Sequence, residues 1–204
     1  MDVDSTLITA EVIELLAARA GSLAEVADVT ERAMRGELDF TTSLRARVAT
    51  LAGLPESVFA EVLAEVELTP GAEDLIAALG QRGCAVGLVS GGFIEVVAPL
   101  AERLGITRTR ANALEVARGH LTGRVAGEVV DRAVKARTLR DWAEADGIDL
   151  ADTVAIGDGA NDLDMLATAG FGVAFNAKPV VAAQADASVD GRLDAVLDLP
   201  PFAA

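Results

Sequence analysis

Two acidic clusters, far apart in the sequence, carry its clearest chemical pattern. The first is Asp2-Val3-Asp4-Ser5-Thr6, and the second is Gly157-Asp158-Gly159-Ala160-Asn161-Asp162. Two carboxylates spaced i, i+2 can gather oxygen ligands for a hard cation while leaving one carboxylate free to attack. An Asp-x-Asp pattern alone occurs by chance in many acidic proteins. The two clusters together indicate a phosphoryl-transfer site.

The charge of the chain limits its partners. It has 204 residues and a formal net charge of −15, and its length predicts one domain with an inserted subdomain or two small domains. This charge repels nucleic acids and anionic lipids, so we expect neither as a partner. A phosphate substrate is repelled too, so a site for one needs local positive charge from a metal ion and a few Lys or Arg side chains.

The location of the protein is predicted from its apolar runs and its single cysteine. Runs such as residues 85–89 are far shorter than the ~18 residues needed to cross a bilayer, and we expect no secretory signal. Cys84 is the one cysteine, so an internal disulfide is excluded and a reducing cytosol is favoured. We therefore expect a cytoplasmic protein in which Cys84 is a small buried hydrophobe.

Hydrophobic periodicity predicts an α/β fold with a parallel sheet and helices on both faces. Residues 10–66 have helical spacing, and from residue 69 strands and helices alternate. We expect a hairpin over residues 113–128 that turns at Gly119. The predicted strands are 85–89, 153–156, 171–175 and 187–189, and the predicted helices include 93–104, 132–146, 161–168 and 179–184.

The chemical residues fall where predicted strands end. Asp158 follows the strand at 153–156, and Ser90-Gly91-Gly92 follows the strand at 85–89. Ligands of open α/β sheets bind at the carboxyl ends of strands. Ser90 and the glycine amides suit a phosphate oxygen, although an ordinary strand-to-helix turn has the same pattern. The positions of Lys135 and Arg47 are compatible with a ligand-binding site and equally with a solvent-exposed helix surface.

Together these motifs resemble the haloacid dehalogenase superfamily, and within it the phosphoserine phosphatases. The resemblance covers nearly the whole chain and implies a Rossmann-like core of residues 1–9 and 69–204 with a helical cap inserted at 10–68. The matching segments are residues 2–8, 11–14, 34–40, 43–47, 89–93, 135–136 and 157–162.

The resemblance implies hydrolysis of O-phospho-L-serine to L-serine and phosphate, the last step of serine biosynthesis. Asp2 would be the nucleophile that forms an aspartyl-phosphate, and Asp4 the general acid and then the base. Mg²⁺ would be held by the Asp2 side chain, the Asp4 backbone carbonyl and Asp158, with Asp162 in support of the metal or of a lysine.

The resemblance also implies how the substrate is held. Ser90, the Gly91 amide and Lys135 would clamp the phosphoryl oxygens, with Asn161 nearby. Glu11 would face the substrate ammonium and Arg47 its carboxylate, while Phe40 closes the lid against water. The oligomeric state is left open.

One departure from the family concerns its central strand. There the nucleophile ends an apolar strand of several residues, whereas here only Met1 precedes Asp2. We therefore expect a truncated first strand and a loss of stability. Two alternatives follow: a non-catalytic remnant that binds Mg²⁺ or phosphate weakly, and a phosphatase or phosphotransferase for another small phosphate such as homoserine phosphate.

Overall fold

The strands form two three-stranded sheets. The computed structural model describes residues 1–203. The strands are β1 Gly87–Phe93, β2 Arg108–Ala117, β3 His120–Ala126, β4 Val154–Gly157, β5 Phe171–Phe175 and β6 Ala187–Val189. In one sheet β1 pairs with β2 in parallel and β2 with β3 antiparallel, and in the other β4, β5 and β6 are all parallel.

Residues 1–3 join the two sheets. The Met1 amine donates to the Gly87 carbonyl at 2.9 Å, and the Val89 N–H donates to the Met1 carbonyl at 3.0 Å. On the other side, the Asp2 N–H donates to the Ile156 carbonyl at 2.9 Å. This is the bonding pattern of a parallel strand. Residues 1–3 therefore lie between β1 and β4 in the place of a central strand, and they bring Asp2 to the carboxyl ends of both.

Helices cover both faces of the two sheets that residues 1–3 join, as predicted. Because side chains alternate along a strand, neighbouring residues enter different clusters. One hydrophobic cluster includes residues of α5 (Ala72–Gln81) and α6 (Ile94–Arg103), and the other includes residues of α7 (Arg132–Asp146) and α8 (Leu163–Thr168). The alternation runs through three strands, with Leu88, Ile156 and Val173 in the first cluster and Val89, Ala155 and Ala174 in the second.

Helices α1 to α4 precede the first strand of the sheets. Their span agrees with the helical periodicity of residues 10–66, while the division into core and cap stays a prediction. No helix in the described part of the chain is long and apolar enough to cross a membrane. The helices are α1 Val12–Ala20, α2 Leu23–Met34, α3 Phe40–Ala49, α4 Val58–Glu65, α5 Ala72–Gln81, α6 Ile94–Arg103, α7 Arg132–Asp146, α8 Leu163–Thr168 and α9 Pro179–Ala182.

The structure corrects the prediction for β1 and the residues before it. The strand begins at Gly87 and continues to Phe93, whereas the prediction ended it at residue 89. Its last residue pairs with Asn112 of β2, and the register shifts between Val89 and Phe93, so the Gly-Gly segment forms an irregularity within the strand instead of a strand-to-helix turn. Cys84 is exposed, because it lies in the loop before the strand. The prediction that it is buried is wrong.

An apolar cavity of about 340 Å³ lies between the amino ends of β1 and β4, next to Met1. Its lining includes Val86, Trp142, Val154 and Met165. The Trp142 ring also covers Gly87, where a Cβ would lie 2.5 Å from Cζ3 of the ring. The glycine therefore lets the tryptophan pack directly on the strand.

Candidate active site

A second cavity, of about 680 Å³, lies at the carboxyl ends of β1 and β4. Nine of the eleven predicted site residues line it, although they come from distant parts of the chain. The other two, Lys135 and Asp162, are fully buried and do not line it. The nine are Asp2, Asp4, Glu11, Phe40, Arg47, Ser90, Gly91, Asp158 and Asn161.

A sharp turn after the link positions the first acidic cluster. Ser5 has a φ of 55°, in the left-handed region that few non-glycine residues adopt. Its N–H donates to the Ala10 carbonyl at 3.3 Å, and its hydroxyl donates to Glu11 Oε1 at 2.6 Å. The turn therefore holds Glu11 beside Asp2 and Asp4 on the cavity wall.

The two acidic clusters meet in space as the sequence predicts. Carboxylate oxygens of Asp2, Asp158 and Asp162 lie within 4.8 Å of one another. Buried Thr6 donates its hydroxyl to Asp158 Oδ1 at 3.1 Å and so orients that carboxylate. Asp162 accepts from Lys135 Nζ at 2.6 Å and from the Gly159 N–H at 3.0 Å. Because both oxygens of Asp162 are engaged, Asp2 and Asp158 are the members that face the cavity.

Lys135 lies beneath the cavity floor with no solvent exposure. Its ammonium is 2.8 Å from Asp2 Oδ1 and 2.6 Å from Asp162 Oδ1. Burial lowers the pKa of Lys135, but the charges of Asp2 and Asp162 outweigh it and hold the pKa above its ordinary value. The solvated-helix interpretation of Lys135 is therefore wrong, and the lysine compensates the two buried carboxylates.

The cavity carboxyl groups are hard to ionise without a cation. Burial and the nearby Asp162 raise the pKa of Asp2 to about 7 and that of Asp158 to about 6. Burial, Glu11 and Asp2 raise the pKa of Asp4 well above its usual range. Asp4 Oδ1 is buried without a hydrogen-bond partner. Crowded, undersaturated carboxylate oxygens suit a hard divalent cation such as Mg²⁺.

The Ser90-Gly91-Gly92 segment forms the opposite wall. Ser90 is fully buried, and its Oγ accepts from the Gly92 N–H at 2.8 Å. A Cβ on Gly92 would lie 2.9 Å from Asp4 Oδ2, so glycine allows this strand to approach the acid. A Cβ on Gly91 would lie 3.1 Å from Phe40 Cζ. Phe40 of α3 therefore lies directly over the segment.

Arg47 supplies a guanidinium to the cavity wall. Its Nε donates to the Ser43 carbonyl at 3.4 Å, and no carboxylate of residues 1–203 lies within 4.0 Å of it as an ion pair. Burial lowers the pKa of Arg47, while Glu11 and Asp4 oppose the shift. A desolvated, unpaired guanidinium on a cavity wall is suited to bind a carboxylate ligand.

The structure adds residues that the sequence reasoning did not single out. Arg132, Lys178 and Ser43 line the cavity, and Thr6 orients Asp158. Thr6 could have been found, since it belongs to the first acidic motif. No local pattern marks Arg132 or Lys178, because the fold brings them to the cavity.

Known phosphoserine phosphatases are similar to this chain in sequence and in structure. The phosphoserine phosphatase of Streptomyces coelicolor is 62% identical over 200 residues, which are 98% of this chain and 49% of that protein. The phosphoserine phosphatase of Streptococcus thermophilus is 56% identical over 185 residues, 91% of this chain and 86% of that one. A solved phospho-aspartyl intermediate analogue of phosphoserine phosphatase has a TM-score of 0.91 at 42% identity, covering 97% of this chain and 95% of its own.

These relatives confirm the resemblance found in the sequence. The chain spans about half the length of the Streptomyces coelicolor protein and most of the Streptococcus thermophilus protein. The haloacid dehalogenase-like hydrolase family matches residues 1–167, which include both acidic clusters. The chain belongs to the haloacid dehalogenase-like hydrolase family.

Proposed function

We propose that this chain hydrolyses O-phospho-L-serine to L-serine and phosphate with the help of Mg²⁺. One observation carries the proposal. A single cavity joins the acidic pair Asp2 and Asp4 to two groups of opposite charge, Glu11 and Arg47. A phosphorylated amino acid presents the matching set of a phosphoryl group, an ammonium and a carboxylate.

Charge complementarity supports the choice of an amino-acid phosphate. Arg47 has no carboxylate partner of its own among residues 1–203, so it can accept the substrate carboxylate without breaking an ion pair. Glu11 is held by the Ser5 hydroxyl at 2.6 Å, which leaves its other oxygen for the ammonium. Charge-assisted bonds in a partly buried site are stronger than those in water. A phosphate ester without these groups would lose both contacts.

In the proposed reaction Asp2 attacks phosphorus and forms an aspartyl-phosphate. The Lys135 ammonium, 2.8 Å away, stabilises the ionised carboxylate that must attack. Asp4, whose pKa is raised, keeps a proton and gives it to the serine oxygen as the P–O bond breaks. Asp4 then takes a proton from water, which attacks the aspartyl-phosphate and releases phosphate.

The surrounding groups would hold the phosphoryl oxygens and the cation. We place the Ser90 hydroxyl, the Gly91 amide and Asn161 around the phosphoryl group, and Phe40 as the cover that excludes water. Mg²⁺ would lie against the Asp2 side chain, the Asp4 carbonyl and Asp158, and Asp162 would support them. When bound, it supplies positive charge between nucleophile and phosphate.

The proposal extends to domain organisation and location. Residues 1–9 and 69–204 would form the core, and residues 10–68 the cap that carries Phe40 and Arg47. The net charge of −15 supports a small-molecule substrate over nucleic acid or an anionic membrane. The single cysteine supports a cytoplasmic location.

Arg47→Ala tests the substrate assignment. Removing one partner of a charge-assisted pair should reduce kcat/KM for phosphoserine by about 10- to 150-fold. Hydrolysis of p-nitrophenyl phosphate, which has neither a carboxylate nor an ammonium, should change by less than about twofold. Arg45→Ala is the matched control, because Arg45 lies on the same helix but is exposed and does not line the cavity.

Four outcomes separate the alternatives. Equal losses on both substrates would place Arg47 at the phosphate or in the stability of the cap, and no loss on either would make it a surface residue. If the folded parent releases phosphate from neither compound in the presence of Mg²⁺, the non-catalytic alternative is correct. Homoserine phosphate, assayed in parallel, has the same charged groups and one more methylene, so a faster rate would reassign the substrate.

A further inference from the structure

Asn112 links two parts of the site although it does not line the cavity. It lies in β2 with no solvent exposure. Its Nδ2 donates to the Gly91 carbonyl at 2.7 Å, and its Oδ1 accepts from the Val130 N–H at 2.8 Å. Both ends of the amide are therefore engaged with backbone groups of other segments.

The first contact reaches Ser90 through a single peptide group. The carbonyl of the Gly91–Gly92 peptide accepts from Asn112, and the N–H of the same peptide donates to Ser90 Oγ at 2.8 Å. Bonds in such a chain polarise one another, so the donor at one end strengthens the bond at the other. Since the Gly92 N–H donates to one lone pair of Ser90 Oγ, the hydroxyl proton points away from this peptide group. The neighbouring open space is the cavity.

The second contact reaches the helix that carries Lys135. Val130 directly precedes Asp131, whose side chain caps α7 by accepting from the Val134 N–H at 2.9 Å. Fixing the Val130 N–H fixes the backbone at the start of this helix. Lys135 follows one residue after the capped amide and reaches Asp2.

We propose that Asn112 is a positioning residue that sets the Ser90 hydroxyl as a hydrogen-bond donor to the phosphoryl group. It acts through the Gly91–Gly92 peptide and, at its other end, aligns that segment with the start of α7. The inference rests on the proposed phosphatase function and deepens it. It concerns the phosphoryl group, which all phosphate esters share, and not the amino-acid part of the substrate.

The amide of asparagine is what this position requires. An aspartate side chain here would be the same size, and its ionised carboxylate could still accept from Val130 but could not donate to the Gly91 carbonyl; the assays are repeated at rising pH until this buried carboxyl is ionised, because its protonated form could still donate. Asn112→Asp therefore removes the contact toward Ser90 and keeps the contact toward α7. An unsatisfied buried acceptor has a substantial cost, so the loss should be measurable.

The test is a double-mutant cycle between Asn112→Asp and Ser90→Ala. Two quantities are measured on all four proteins: kcat/KM for phosphoserine and p-nitrophenyl phosphate, and the Kd of inorganic phosphate with Mg²⁺ present. We expect Asn112→Asp to weaken each by about tenfold in the parent and by less than about threefold in the Ser90→Ala background. Equal factors in both backgrounds would overturn the proposal, because a general loss of structure does not depend on the Ser90 hydroxyl.

Thr153→Val provides the control for stability. Thr153 donates to the Leu150 carbonyl at 2.7 Å and accepts from the Gly170 N–H at 3.3 Å, at the opposite end of β4 from the site. Its removal should lower Tm without changing kcat/KM or phosphate binding. All assays are run at a temperature where circular dichroism shows each variant folded. If Asn112→Asp does not fold, the same cycle is run with Asn112→Ser. The serine variant introduces no buried charge and leaves only a small void.

The phosphate-binding arm separates this inference from the proposed function. Coupling in phosphate binding without phosphoserine turnover would support the role of Asn112 and contradict the substrate assignment. Phosphoserine turnover without coupling would support the substrate assignment and contradict the role of Asn112. A parent that neither binds phosphate nor hydrolyses either ester would overturn both.

Discussion

Two cavities lie at opposite ends of the same gap between β1 and β4, and they differ in the buried charged groups that line them. The larger, at the carboxyl ends, contains Asp2, Asp4 and Asp158, whose pKa values are all raised. The smaller, at the amino ends, is lined mainly by apolar side chains such as Val154 and Met165. The link of residues 1–3 lies between them.

The two ends differ in how their buried groups contribute to the free energy of unfolding. Burying charges costs free energy, and an ion pair such as that of Lys135 with Asp2 and Asp162 recovers it only in part. Such an arrangement is retained where shifted pKa values serve chemistry. Around the apolar cavity the contacts are packing contacts, whose loss affects the free energy of unfolding. Substitutions at the two ends should therefore have separable effects.

The largest effect is expected at the charged end, from Asp2→Asn. A carboxamide cannot attack phosphorus, and enzymes accelerate phosphate-monoester hydrolysis by up to ~10²¹-fold over the uncatalysed reaction, so essentially no activity should remain. Lys135 keeps its ion pair with Asp162 at 2.6 Å, so the variant should still fold. Phosphate release and circular dichroism measure the two properties. Turnover above a few per cent of the parent would contradict the nucleophile assignment.

A smaller effect, on the stability of the charged end, is expected from binding of Mg²⁺. In the metal-free protein the pKa values of Asp2 and Asp158 are raised to about 7 and about 6, above those of the unfolded chain. The folded state then binds more protons, so these groups favour folding at low pH and lose that contribution as pH rises through this range. A cation requires the ionised carboxylates, and its stabilisation grows over the same range.

The measurement is the Tm with and without Mg²⁺ near pH 5 and near pH 8, at matched ionic strength. A concentration of 100 Kd should stabilise the protein by about 2.7 kcal/mol at the higher pH and by less at the lower. An equal increase at both pH values would show that the ion binds elsewhere.

The smallest catalytic effect is expected at the apolar end, from Gly87→Ala. The new Cβ would lie 2.5 Å from the Trp142 ring, and such overpacking costs about 1–3 kcal/mol. Urea unfolding should show this loss, while kcat/KM of the folded protein stays unchanged. Gly80→Ala is the matched control, because a Cβ there meets nothing within 4 Å and the helix should gain about 0.5–1 kcal/mol. A large fall in kcat/KM for Gly87→Ala would mean that the two ends are coupled.

Local chemistry in the sequence predicted much of the fold and the identity of the acidic clusters. The strands at 171–175 and 187–189 have the predicted bounds, because short apolar runs between turns indicate buried strands. Asp2 and Asp158 meet because the carboxyl ends of parallel strands share one edge. The roles assigned to these residues stay predictions.

What the sequence could not predict depends on contacts between distant segments. Gly91 and Gly92 are typical of a turn, yet β1 runs through them because Phe93 pairs with Asn112. Lys135 has the spacing of a surface residue, and only the fold supplies its two acidic partners. Asn112 belongs to no motif at all, since its importance lies in two backbone groups that the sequence does not place beside it.

The link of residues 1–3 also has a mechanical consequence. Met1 is hydrogen-bonded to β1 and Asp2 to β4, so Asp2, the proposed nucleophile, is held between the two halves of the sheet. Ser90 lies in β1, whereas Asp158 directly follows β4. A small change in the twist between the halves would alter the angle between the attacking oxygen and the groups around phosphorus. The proposed line of attack therefore depends on the hydrogen bonds that residues 1–3 make to both halves of the sheet.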